Sequence, residues 1–230
     1  MTKNKKNQTT QNEDGNILLI ILLAIALIAA LTAAMNGSTT QKAHIDDETL
    51  LLHATKIQRN ASEFERGVHY IMQNGISEND IRFAHPNAND EYGDLENDTN
   101  QNDQLFSKDG GGAQYRFPPS NINNGEHWEF FGHTALPDVG SDEPELIAVL
   151  PNITQGLCEK INKMIGYDEQ PKDSSTCIYE QSERFDDGRQ FSSSPNTLEE
   201  DSLTKTPATQ GCVQCTSDKS YHYFHVLMAR

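Results

Sequence analysis

The sequence predicts an α+β fold in which one long N-terminal helix, half membrane-spanning and half exported, packs on a small antiparallel β-sheet. Residues 16–35 carry no charge, and as a helix they would extend roughly 30 Å, the thickness of a bilayer's hydrocarbon core. Residues 42–74 continue with an amphipathic helical pattern, and residues 221–228 are rich in strand-forming side chains. These observations divide the chain into a cytoplasmic leader (1–15), a transmembrane helix (16–35) and an exported domain (36–230).

The exported half of the helix, at about 42–74, is predicted from an apolar stripe with spacings of three and four residues. The stripe consists of Leu50, Ala54, Ile57, Ala61, Phe64, Val68 and Ile71. Gly75 follows the stripe, and Gly is the usual residue just past a helix. Residues 85–112 are rich in Asn, Asp and Gly, and they are predicted to form a surface loop.

The rest of the domain alternates between short strand patterns, one helix pattern and polar loops. Residues 113–166 are predicted to hold strands at 113–117, 127–131 and 145–150, followed by a short helix at 153–165. Residues 168–210 are polar and are predicted to form a second loop. The final strand at 221–228 completes the predicted sheet.

The chain is acidic, with a formal net charge of −16. This charge excludes nucleic acid as a predicted partner, because a phosphate backbone requires a basic surface. The basic cluster Lys3, Lys5 and Lys6 precedes the apolar run, and basic flanks stay cytoplasmic. The alternative is a cleaved secretory signal, with a cut after Ala34 that would release a soluble domain.

The four cysteines, Cys158, Cys177, Cys212 and Cys215, all lie in the predicted exported domain. An even number of cysteines in an oxidising compartment predicts two disulfides. The favoured pairing is Cys158–Cys177 with Cys212–Cys215, because both bridges close short loops. A four-thiolate zinc site is the alternative, although only Cys212 and Cys215 have the C-x-x-C spacing of such sites.

The leader, the glycine and the long apolar helix together resemble the type IV pilin and pseudopilin family. The matching residues are Lys3, Lys5, Lys6, Gly15 and the run from Ile17 to Met35. The resemblance implies that a prepilin peptidase cuts between Gly15 and Asn16, and that the apolar helix then packs in a filament. Most members carry Glu at the position of Ile20 and Phe or Met at that of Asn16, which favours a minor subunit.

The resemblance implies a non-enzymatic subunit of a pilus or secretion pseudopilus. It would be a single-pass protein of the bacterial inner membrane, with a cytoplasmic N-terminus and a periplasmic or extracellular domain. Its partners would be the membrane, other pilin-like subunits and the prepilin peptidase, and no cofactor or catalytic residue is predicted. The alternative is a membrane-tethered exported domain that binds a ligand or partner through residues 85–125 or 168–210.

Two sets of side chains have the chemical types that bind metals, but neither is predicted to form a site. The first set is His127, His133, His222 and His225. His222 and His225 are three apart in a predicted strand and therefore point to opposite faces. The second set, Asp98, Asn100, Asn102 and Asp109, alternates like a calcium loop but lacks the glycine at position six and the final glutamate.

Overall fold

A computed structural model of the chain describes residues 19–29, 39–174, 176–186, 188–198 and 203–230. The chain divides into two compact units, Met1–Glu48 and Thr49–Arg230. The helices of the described part are α1 (residues 19–29), α2 (Thr39–Gln73) and α3 (Gln155–Ile165). Its strands are β1 (Glu129–Ala135), β2 (Glu145–Leu150), β3 (Lys172–Asp173), β4 (Phe191–Thr197), β5 (Gln210–Cys215) and β6 (Tyr221–Met228).

The strands form one six-stranded sheet in the order β3-β5-β6-β2-β1-β4. The four central strands are antiparallel, whereas β4 runs parallel to β1 and β3 runs parallel to β5. The predicted small antiparallel sheet is therefore wrong, because the sheet is larger and mixed. The edge strand β4 was not predicted as a strand. Its sequence, FSSSPNT, is polar and contains a proline, which edge strands tolerate, and its side chains are mostly half-exposed or exposed, so it lacks a recognisable strand pattern.

The predicted single long N-terminal helix is also wrong. The structure describes two separate helices, α1 and α2, and residues 30–38 between them lie outside the described part of the chain. Apolar composition shows that a segment avoids water, but it does not show that the helix is continuous. Residues 113–117, predicted as a strand, contain no regular secondary structure.

The stripe on α2 packs on one face of the sheet. Its residues from Ala54 to Ile71 are buried in a cluster that includes Trp128 and Phe130. Phe64 makes edge-on ring contacts with both aromatic residues, at centroid distances of 5.4 and 5.8 Å. Helix α3 packs on the same face through Leu157 and Ile161, and it ends at Gly166, whose φ of 101° suits glycine.

The opposite face of the sheet is also covered. A second cluster joins Ile147 and Phe224 of the central strands to Tyr167, Ile178 and other apolar side chains of the segment between α3 and β5. Residues 168–210, predicted to be a surface loop, thus contain edge strands and supply part of the core. Both faces of β2 and β6 are buried, which explains why these strands are the most apolar of the sheet.

Candidate functional site

Helix α1 is an exposed apolar surface. Its large side chains are between 50% and 72% exposed, and they are Leu19, Ile20, Ile21, Leu22, Leu23, Ile25, Leu27 and Ile28. A helix that is apolar on every side is normally buried in a protein interior or a membrane. Covering one such side chain completely is worth roughly 1.5–3 kcal/mol, so a second surface that excludes water from α1 would bind with a substantial driving force.

The predicted membrane helix at residues 16–35 is only partly described. Helix α1 occupies residues 19–29, a length of about 16 Å at 1.5 Å per residue, and the flanking residues of the run lie outside the described part. Among the described residues, no helix is long and apolar enough to cross a membrane. This finding overturns the predicted single-pass location in the bacterial inner membrane with a periplasmic or extracellular domain. The cleavage site at Gly15 and Asn16 also lies outside the described residues and stays a prediction.

All four cysteines form disulfides, as predicted, but the predicted pairing is wrong. The bridges are Cys158–Cys212 and Cys177–Cys215, with Cα–Cα distances of 5.4 and 5.7 Å. Cys212 and Cys215 are three apart in β5, so their side chains point to opposite faces of the sheet and cannot meet. One bridge lies in each core cluster, which also rules out the single four-thiolate zinc site considered as the alternative.

The histidines of the first predicted set are held by protein partners on different sides of the sheet. His225 Nε2 lies 2.8 Å from a Glu65 carboxylate oxygen on α2, and this pair ties the helix to β6. The hydrogen bond from His225 lowers the pKa of Glu65. On the opposite face, His222 stacks on Tyr179, and His133 Nε2 lies 3.3 Å from the Cys177 carbonyl oxygen.

His222 is also part of a serine–histidine contact. Ser220 Oγ lies 2.6 Å from His222 Nε2 and 2.5 Å from an Asp218 carboxylate oxygen. Burial lowers the pKa of His222 to about 4, which makes the imidazole a weak base at neutral pH. Asp218 accepts a hydrogen bond from the serine hydroxyl and does not orient the imidazole, so the arrangement differs from a nucleophile–base–orienting acid relay.

The acidic loop of the second predicted set is held together by its own hydrogen bonds. The two carboxylate oxygens of Asp98 accept from the Asn100 backbone N–H at 3.0 Å and from Gln104 Nε2 at 2.5 Å. The Asn100 amide donates to an Asp103 carboxylate oxygen at 2.9 Å. Burial raises the pKa of Asp103, and the negative charge of Asp98 raises it further. Both carboxylate oxygens of Asp98, the first residue of the set, are thus engaged within the loop.

A buried ion pair between β1 and a distant loop was not foreseen from the sequence. Arg184 donates from Nε and Nη2 to the two carboxylate oxygens of Glu129, at 2.8 and 3.0 Å. Tyr92 Oη donates to the same carboxylate at 2.7 Å, and Asn89 Nδ2 donates at 3.3 Å. Burial alone lowers the pKa of Arg184, but the hydrogen bond and charge of Glu129 outweigh it and raise that pKa above its ordinary value.

This cluster borders an open cleft of about 460 Å³ that also contains Glu126 and Tyr179. Four donors engage the Glu129 carboxylate, which favours a structural role for it over a catalytic one. The cluster instead fastens two loops to β1, one carrying Tyr92 and the other carrying Arg184. The segment at 85–112 is therefore attached to the sheet through Asn89 and Tyr92.

Glu145 at the start of β2 is a second buried acid, and we expect it to make stability depend on pH. Burial raises its pKa from 4.5 to about 7, although the Leu136 backbone N–H, which donates to it at 2.9 Å, opposes the shift. Between these two pH values the folded protein holds a proton that the unfolded chain has released. The free energy of unfolding should therefore fall by about 3 kcal/mol as pH rises from about 4.5 to about 8.

Urea unfolding at a series of pH values measures this effect. The variant Glu145→Gln should remove the corresponding part of the pH dependence, whereas Glu143→Gln, at an exposed neighbouring acid, should retain it. Parallel pH profiles for the wild-type protein and Glu145→Gln would contradict the assignment to Glu145.

Comparisons with protein-family models, with curated proteins and with solved structures found no match. The pilin-like resemblance therefore depends on the residues at the start of the chain alone.

Proposed function

We propose that the protein is a non-enzymatic, pilin-like assembly subunit whose copies associate through helix α1. The single observation that carries the proposal is the exposure of an entirely apolar helix at residues 19–29. Ala24, Ala26 and Ala29 are interspersed among its large side chains, and small residues let neighbouring helices approach closely. Other pilin-like subunits are the proposed partners, and cutting between Gly15 and Asn16 by a prepilin peptidase belongs to the same proposal.

The second unit has the features of a stable head for such a subunit. Its two disulfides and its sheet, buried on both faces, are typical of proteins that fold in an oxidising compartment and persist there. Two of its buried charged side chains, Glu129 and Arg184, pair with each other, which favours a structural role over a catalytic one for that cluster.

The oligomeric state of the full chain tests the proposal. In detergent-free buffer, light scattering should give a mass several times that of one chain. The double variant Leu22→Asp/Ile25→Asp should shift the protein to monomers, because two charges on the apolar helix would have to be buried in any bundle. Leu52→Asp is the matched control, since Leu52 is a helical leucine of similar exposure on α2, and it should leave the mass unchanged.

Two results would contradict assembly through α1. One is a wild-type chain that stays monomeric over a wide range of concentration, and the other is a double variant with the mass of the wild-type protein. In a third result, the protein floats with neutral phosphatidylcholine vesicles and stays monomeric without them. That result would show that lipid, rather than other copies of the chain, covers α1.

A further inference from the structure

A groove on the second unit combines positive charge, exposed apolar side chains and buried polar atoms that have no hydrogen-bond partner among the described residues. It has a volume of about 360 Å³ and lies between α2 and the segment at 116–119. Lys56, Arg59 and Arg116 are exposed at its rim. Phe117, which is 60% exposed, forms a wall together with two prolines, and the fully buried Trp128 forms part of the floor.

Two side chains lining this groove carry buried polar atoms without a hydrogen-bond partner in the described part of the chain. They are Asn60 Oδ1, an acceptor, and Trp128 Nε1, a donor. Asn60 is 6% exposed, and its amide nitrogen donates to the Arg116 carbonyl oxygen at 3.4 Å, which leaves the side-chain oxygen as the open position. An unsatisfied buried polar group costs about 1–3 kcal/mol, so a ligand that satisfied both atoms would recover that cost.

The two open atoms define the chemistry of such a ligand. A donor and an acceptor whose residues line one groove match a polypeptide backbone, whose carbonyl oxygen would accept from Trp128 Nε1 and whose N–H would donate to Asn60 Oδ1. Phe117 and the adjacent prolines offer an apolar surface for a side chain of the same peptide. A simple anion satisfies the donor but brings no N–H group for the asparagine oxygen.

The rim determines the charge of the ligand. Three cations surround one groove in a chain whose net charge is −16, and among the described residues no carboxylate pairs with Lys56 or Arg59. Arg116 pairs with Glu63 at 3.4 Å, where the arginine side chain remains 45% exposed. Local positive charge on an acidic protein attracts acidic segments and repels basic ones, which gives both a faster encounter and selectivity.

We propose that this groove binds an acidic, extended peptide segment of a partner protein. The backbone of the peptide bonds to Asn60 and Trp128, its carboxylates lie against Lys56, Arg59 and Arg116, and an apolar side chain packs on Phe117. The site lies wholly within Thr49–Arg230 and does not depend on association through α1.

Trp128 is the only tryptophan of the chain, so its fluorescence reports directly on the floor of the groove. The full-length protein is titrated with the blocked hexapeptide acetyl-Asp-Leu-Glu-Asp-Leu-Glu-amide. The tryptophan emission should change saturably, and the affinity should fall as the salt concentration rises. Peptides with Lys, or with Asn and Gln, in place of the acids should bind at least about tenfold more weakly.

Variants separate the groove from general attraction to a cation. Arg59→Glu reverses an exposed charge at the rim and should weaken binding by about tenfold or more at low salt. Lys163→Glu makes the same change of charge at an exposed position on α3, outside the groove, and should bind like the wild-type protein. Both positions are on the surface, so neither change should alter the fold.

Three outcomes would overturn the proposal. The first is equal binding of the acidic and neutral peptides, and the second is equal weakening by Arg59→Glu and Lys163→Glu. The third is an equal change in Trp128 emission with inorganic phosphate, which would mean that the groove accepts any anion and does not recognise a peptide backbone.

Discussion

Replacing Arg184 by methionine is expected to lower the free energy of unfolding by about 3–5 kcal/mol, the usual cost of leaving one partner of a buried ion pair alone. Glu129 is 5% exposed and would keep its carboxylate in the interior without the guanidinium that now neutralises it. Tyr92 Oη and Asn89 Nδ2 would still donate to Glu129, but neither carries a positive charge. The loop that contains Arg184 would also lose its attachment to β1.

Urea unfolding of four proteins tests this expectation: wild type, Arg184→Met, Glu129→Gln and the double variant. The double variant should recover much of the stability lost in Arg184→Met, because it has no buried charge and retains an acceptor for Tyr92. Arg189→Met breaks an exposed pair with Glu183 and should cost less than about 1 kcal/mol. Similar losses for Arg184→Met and Arg189→Met would show that burial does not strengthen the Glu129–Arg184 pair.

Removing the Cys158–Cys212 disulfide by changing both residues to alanine should cost about 4 kcal/mol. The bridge spans 54 residues, and closing a loop of that size restricts the unfolded chain strongly. It also ties α3 to β5 inside the larger core cluster, where both cysteines are fully buried. The loss should appear as a lower urea midpoint.

The same experiment checks the pairing of the cysteines. Peptide mapping without reductant should recover a fragment that joins Cys158 to Cys212, and a reductant should destabilise the wild-type protein more than the double alanine variant. A mapped Cys212–Cys215 bridge, or a loss below about 1 kcal/mol, would contradict the structure. A bridge between residues three apart restricts the unfolded chain far less.

Local patterns in the sequence were sufficient for several elements. Strands β2 and β6 occupy the segments predicted as strands, because β2 is a short apolar run and β6 is rich in strand-forming residues. Helix α3, at Gln155–Ile165, lies within the segment predicted as a short helix at 153–165. The stripe on α2 is buried from Ala54 to Ile71, since spacings of three and four place these side chains on one side of a helix.

Contacts between distant residues were beyond the same reasoning. Glu129 and Arg184 are 55 residues apart, and nothing near either of them marks it as half of an ion pair. The disulfide pairing depends on which face of β5 each cysteine occupies, and preference for short loops selected the wrong partners. The groove could not be predicted from the sequence either, because Lys56 and Arg59 belong to the polar side of α2 and line a groove with residues 116–119 only in the folded chain.

The sequence alone was thus enough to establish an acidic chain with two disulfides and an uncharged apolar run at residues 16–35, because composition and short-range periodicity act within a few residues. The mixed sheet and the burial of its second face emerged only from the folded chain. Those features depend on which segments become neighbours, and that choice reflects the free energy of the whole core. A polar edge strand such as β4 is stable because β1 supplies its hydrogen bonds, a cause that lies outside its own sequence.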